Sequence, residues 1–241
     1  MEFTFVLLLF SVVAFLYASV GHGGASGYIA LMAILAFPQN EIKTNALFLN
    51  LFVSFISFTQ FFKKEDFPYK MFFVLIAFST PMAFLGGMIS LDDHIYKVLL
   101  GIILLIPISK FLGFFPKMQF NILPNVMLLI VLGMGIGLVS GLLGIGGGIL
   151  LSPLLILLGW CSIKKAAAVS AIFIFINSLS GLLGKSISNL HFSDNIILIL
   201  VFTVFGGLLG GFFGAKKFKI SWIQYTLAVV LMVACFKLFI T

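Results

Sequence analysis

Apolar residues run in long blocks along this chain instead of alternating, and the blocks are separated by short polar turns. Blocks of about 18 residues or more, the length that carries a helix across the hydrocarbon of a bilayer, fall at about 3 to 20, 42 to 62, 69 to 90, 95 to 115, 123 to 143, 164 to 183, 195 to 214 and 220 to 240. Two shorter blocks remain, about 25 to 37 and 149 to 160, and each directly follows a glycine cluster. As helix each covers only about 20 Å. The pattern predicts an all-α polytopic membrane protein of ten segments, two of them half-helices or short tilted spans.

Composition agrees. The chain has 241 residues, 62% hydrophobic and 9% charged, whereas a soluble domain needs about a quarter of its residues charged. The cations are all lysine, and the net charge is +7. A nucleic-acid binder gathers its bases on a polar surface with Arg forks, so this balance points to orientation in a membrane. If the ten segments alternate sides, one face receives Lys63, Lys64, Lys70, Lys110, Lys117, Lys164, Lys165, Lys216, Lys217 and Lys219. The other receives Lys43, Lys97, Lys185 and Lys237 with Glu2, Glu41, Asp92, Asp93 and Asp194. By the positive-inside rule the Lys-rich face is cytoplasmic and both termini lie outside a plasma or inner membrane. The first block carries Glu2 where a signal peptide would be basic, so it reads as a retained helix. Cys161 and Cys235 have no ligand spacing and imply neither a disulfide scaffold nor a metal site.

The chain also repeats itself. Residues 21 to 35, GHGGASGYIALMAIL, align with residues 144 to 158, GIGGGILLSPLLILL, and Gly86 and Gly87 match Gly210 and Gly211. Two five-segment halves, 1–115 and 121–241, flank a Pro/Lys linker at 116–120. Five is odd, so the repeats are expected to be inverted, with broken or re-entrant helices at the glycine motifs, as recurs among secondary transporters.

A helix broken inside a membrane leaves amide hydrogens exposed at the next helix's amino end, where the partial positive charge suits an anion. Gly21, Gly23 and Gly24 form one such tip, and Gly144, Gly146, Gly147 and Gly148 the other. The spans carry no acid or lysine in their middle thirds; lysines such as Lys43 and Lys97 sit at the ends, placed to snorkel. The polar groups within spans are neutral, among them Asn45, Asn50, Ser170 and Asn177, and these can donate to an anion without the desolvation cost of a buried ion. His22 is the one titratable group inside a motif, and is a candidate for substrate contact or proton coupling. Each of these residues could equally serve helix packing or interhelical bonding. No hydrolase, metalloprotease or P-loop motif is present, no catalytic residue is expected, and no cofactor or metal is called for.

The motif GIGGGILLSPLL (Gly144 to Leu155), its weaker twin GHGGASGYIALM (Gly21 to Met32) and the two-repeat layout resemble the sulfite exporter TauE/SafE family of membrane transporters. The first copy departs from the family's form at Ala25 and Ala30. The resemblance implies a permease for small anions, often sulfur-containing ones such as sulfite or an organosulfonate. The expected function is a secondary carrier working by alternating access. The alternatives are a passive channel for anions or small solutes, and a non-transporting receptor or assembly protein. The expected partners are a small anion and the lipid bilayer, and no nucleic acid. The specific anion, the direction of transport, proton or sodium coupling and assembly as a homodimer stay open.

Overall fold

A computed structural model describes residues 3–62, 67–113, 123–187 and 189–216, with six helical positions of the last apolar block, 228, 229, 231, 232, 235 and 236. All regular structure among the described residues is helical: α1 (Phe3–Ser19), α2 (Ala25–Ile34), α3 (Gln39–Phe61), α4 (Tyr69–Met88), α5 (Asp93–Phe111), α6 (Val126–Leu143), α7 (Gly148–Leu157), α8 (Ile163–Ile187) and α9 (Ile196–Lys216). Nine of the expected segments are therefore present, with Gly21, Gly23 and Gly24 between α1 and α2, Gly144, Gly146 and Gly147 between α6 and α7, and Gly148 opening α7. Helices α3, α4, α6, α8 and α9 are long and apolar enough to cross a membrane. Most of the tenth segment, the linker 116–120, Glu2 and the lysines Lys63, Lys64, Lys117, Lys217, Lys219 and Lys237 lie outside the described residues. Cys235 donates from its thiol to the Gly101 carbonyl of α5 at 3.4 Å.

Lipid offers no hydrophobic drive between apolar helices, so close association rests on small residues that let backbones approach. On α6, Gly133, Gly137 and Gly141 lie against the backbone of Leu75, Ser79 and Ala83 in α4. On α9, Gly206, Gly210 and Gly214 lie against the backbone of Ser11, Phe15 and Ser19 in α1. The four-residue spacing puts each set on one helix face. These two pairings are the most extensive among the described helices. Both join the fourth helix of one half to the first helix of the other. Gly86 packs on the backbone of Leu138 and Gly210 on that of Phe15, whereas Gly87 meets the backbone of Gly181 and Gly211 the side chain of Gln60. The long helices α3 and α8 cross between the halves, and α2 and α7 pack on α3 and α8 respectively.

The short helices are interior elements. Every residue of α2 from Ala25 to Met32 is buried, as is α7 from Gly148 to Pro153. Irregular backbone at membrane depth is tolerated where protein surrounds it. The long helices instead show apolar residues outward, including Phe55, Phe73, Val201 and Phe205.

Lys43 corrects the snorkelling expectation. It is only 8% exposed, and its ammonium donates to the carbonyls of Gly86, Gly87 and Ile89 at 3.2, 3.2 and 3.3 Å. The end of α4 leaves carbonyls without intrahelical partners, and Lys43 reaches inward to them.

Candidate functional site

The first break is a helix stop followed by a restart. Gly21 adopts φ 78°, its amide donates to Ala18, and the His22 amide reaches back to Tyr17 at 2.9 Å. This double bond closes α1 in the manner favoured by a left-handed residue after the last turn. At the second break Gly144, also at φ 78°, donates to the Ser140 carbonyl and closes α6. Helices α2 and α7 then begin afresh at Ala25 and Gly148, and their first amides have no acceptor within the helix.

Both tips meet at Asn50. A Cβ built on Gly23 would fall on the Asn50 amide oxygen, and one built on Gly146 would fall on its amide nitrogen. Asn50 Oδ1 accepts from the Ala25 amide at 3.1 Å, while Nδ2 donates to Ser178 Oγ at 2.8 Å. The orientation is fixed by chemistry, because a backbone N–H must be faced by an oxygen. Ile174 of α8 completes the junction: it lies against Gly23, Gly146 and Gly148. Asn50 and Ile174 thus stand between the two tips, an amide from one half and an aliphatic chain from the other.

The remaining expected site residues spread around this junction. Gly148 also approaches the Ser170 carbonyl, and Gly147 packs between Ile136, Phe173 and Ser140. Gly24 packs on the ring of Tyr28. Ser170 and Asn177 are fully buried. Asn177 Nδ2 is taken by the Phe173 carbonyl at 2.9 Å, but its Oδ1 has no hydrogen-bond partner, and neither do the hydroxyls of Ser170 and Ser140. His22 is buried, its Nδ1 lies 3.1 Å from the Val20 carbonyl, and its own carbonyl accepts from Ser57. Gly21 rests on Ala167, and Gly144 rests on Lys43.

Asn45 is not brought to the tips. Its Nδ2 donates to Ser193 Oγ at 2.5 Å and its Oδ1 lies 3.3 Å from the Ser193 amide. Ser193 Oγ in turn donates to Glu41 at 2.7 Å. Asn50 follows Asn45 by five positions, and that spacing turns the two side chains well away from one another on a helix.

Ser57, Ser140, Ile174 and Ser178 belong to the junction although the expected site omits them. Ser57 had a signal, since it follows Asn50 by seven residues on the same face of α3. Ile174 had none, because an isoleucine in an apolar helix looks like any other.

Comparison with known proteins bears on this geometry. Residues 6–238 match the family model described as sulfite exporter TauE/SafE. The chain is 32% identical over 236 residues to "Probable membrane transporter protein y4hK" of Sinorhizobium fredii, covering 96% of each chain. It is 33% identical over 102 residues to "Probable membrane transporter protein MJ0441" of Methanocaldococcus jannaschii, covering 39% of this chain and 38% of that one. It is also 36% identical over 95 residues to "Probable membrane transporter protein MamO" of Paramagnetospirillum magneticum, covering 37% of this chain and 15% of that one. No solved structure matches.

Proposed function

The chain belongs to the sulfite exporter TauE/SafE family of membrane transporters, and from that membership and the meeting of both tips at Asn50 we propose that it carries a small anion, sulfite or an organosulfonate, by alternating access. The observation that carries the reading is the single amide contacted by both interrupted helices. The anion would replace Asn50 Oδ1 at the amino end of α2 and take amide hydrogens from the start of α7. Helix amino ends favour such a guest through their partial charge and unpaired N–H groups. The hydroxyls of Ser170 and Ser140, buried without partners, would donate further bonds. Asn177 Oδ1 would accept, which suits the hydroxyl of a singly protonated oxyanion or a water travelling with it.

Glycine at positions 23 and 146 leaves the tips pressed against Asn50 with no space even for a Cβ. Substrate therefore needs one tip to withdraw. In our reading the halves are inverted through the bilayer, so the tips withdraw toward opposite faces and the site opens to one side at a time. The Lys-rich face is taken as cytoplasmic.

The test is counter-transport in proteoliposomes, with sulfite, thiosulfate, sulfate, sulfoacetate, simple carboxylates and chloride offered in turn. Saturable uptake that is accelerated by the same anion on the far side supports a carrier. Flux that neither saturates nor exchanges means a channel. If no anion moves and none raises the melting temperature of the purified protein, as a ligand selecting the folded state must, the reading fails.

A further inference from the structure

Resting on the anion reading above, we propose that the Tyr28 hydroxyl binds the transported anion at the α2 tip, donating to one of its negatively charged oxygens.

Tyr28 completes the first turn of α2. Long side chains on a helix lean back toward its amino end, and this ring does so. A Cβ built on Gly24, the residue before α2, would fall 2.7 Å from both Cζ and the hydroxyl oxygen of Tyr28. Gly23 faces the Asn50 amide and Gly24 faces the Tyr28 hydroxyl, so the two polar side chains flank one two-residue tip. The ring stacks on Phe10 of α1 with centroids 6.0 Å apart and planes inclined by 23°. Tyr28 is fully buried, yet its hydroxyl has no hydrogen-bond partner. Burying a hydroxyl without a bond costs free energy, and a phenylalanine would pack the same ring without that cost. The first amides of α2 have no acceptor within the helix, so an anion seated on them lies beside a phenol O–H ready to donate. A bond to a charged oxygen is stronger than one between neutral groups.

The second tip is built in parallel. Gly147, the residue before α7, lies against Ser140, whose hydroxyl is likewise buried and without a partner. Aligning Gly21 with Gly144 places Tyr17 opposite Ser140 and Leu151 opposite Tyr28. The Tyr17 hydroxyl is engaged, 2.9 Å from Ser26 Oγ, and Leu151 carries no donor. Each tip thus keeps an unpartnered hydroxyl against the glycine that precedes its helix. At the second tip it comes from α6, and at the first from α2 itself.

The test is Tyr28→Phe, which removes one oxygen and leaves the ring. Because that oxygen has no partner in the protein, the anion-free variant should melt at or above the wild-type temperature. Purified protein in nanodiscs is titrated calorimetrically with sulfite, thiosulfate, sulfate and sulfoacetate. The variant should bind the best of these about tenfold more weakly, the order for losing a bond to a charged group. Tyr17→Phe is the control: it should melt lower through the lost bond to Ser26, with affinity kept. A second readout is the infrared difference on adding the best anion to protein carrying ring-deuterated tyrosine. The wild type should show a change in tyrosine C–O–H modes that Tyr28→Phe lacks. Wild-type affinity in Tyr28→Phe, or no tyrosine change when the anion binds the wild type, would overturn the assignment and leave the transport reading standing. A lower melting temperature without anion, with affinity unchanged, would make the hydroxyl purely structural and overturn it too. If the wild type binds none of these anions, the transport reading and this inference fall together.

Discussion

Asn50 donates its side-chain amide to Ser178 Oγ at 2.8 Å, joining the long helix of one half to that of the other directly beside both glycine tips. The same side chain caps the Ala25 amide, so it is a structural clasp as well as the proposed seat of the anion. Asn50→Asp keeps the acceptor for Ala25 and places a permanent carboxylate between two helix amino ends, where it is favoured. The variant should fold, lose uptake by more than tenfold, and show no anion-induced rise in melting temperature. Asn50→Ala instead orphans a buried amide and should destabilise by about 2 kcal/mol. Uptake at wild-type rate in Asn50→Asp would remove Asn50 from the substrate path.

The glycine stripe of α6 allows a prediction with an internal control. A Cβ on Gly141 would run into the Ala83 carbonyl, and one on Gly137 into the Ser79 carbonyl, whereas one on Gly135 meets nothing within 4 Å. Overpacking against backbone costs about 1 to 3 kcal/mol. Gly141→Ala and Gly137→Ala should lower the melting temperature in detergent, and Gly135→Ala should leave it unchanged or slightly raised, since alanine is the better helix former.

These helices were largely legible in the sequence because in lipid the apolar block length and the helix length are nearly the same quantity. Both breaks were legible for a local reason, since Gly21 and Gly144 take a backbone conformation that other residues resist. Tertiary choices were not legible. Lys43 lies one turn into α3, a position equally compatible with snorkelling outward and reaching inward. Only the proximity of the α4 carbonyls decides it. Asn45 and Asn50 look alike in the sequence, yet one is claimed by Ser193 and the other by the tips.

Asn45 offers a test of that distinction. Its bonds hold the segment before α9 across the first turns of α3. Asn45→Ala should therefore cost about 1 to 2 kcal/mol of stability through the lost buried bonds, with the affinity for the transported anion unaltered. A selective loss of affinity with normal melting behaviour would return Asn45 to the substrate site.

Cys161 lies between α7 and α8, beyond the spanning segments, and burial pushes its thiol from the ordinary 9.0 up to about 11, with Lys165 pulling the other way. At pH 8 the folded protein should hold about a hundredfold less thiolate than an unfolded chain. Maleimide labelling at Cys161 should be correspondingly slow until the protein is denatured. Because the folded state holds this proton more tightly, its contribution to stability is complete below pH 9 and is lost as pH rises toward 11. A melting temperature that falls over that interval in the wild type, and falls less in Cys161→Ala, is the expected signature.

The two short helices end alike but with different residues. After α7, Gly159 at φ 74° donates to Ile156, and the Trp160 amide reaches back to Leu155 at 2.9 Å. After α2 the same double closure is made by Ala36 at φ 57°, with the Phe37 amide reaching Met32 at 3.0 Å. A left-handed conformation costs a non-glycine residue about 1 to 2 kcal/mol. Glycine would give back part of that through the freedom of the unfolded chain. Ala36→Gly should thus stabilise by about 0.5 to 1 kcal/mol, roughly 2 °C in a chain of this size. Gly159→Ala should do the reverse, with transport by either variant retained because neither position touches the tips. Should Ala36→Gly melt lower than the wild type, the stop after α2 is held by something other than this backbone closure.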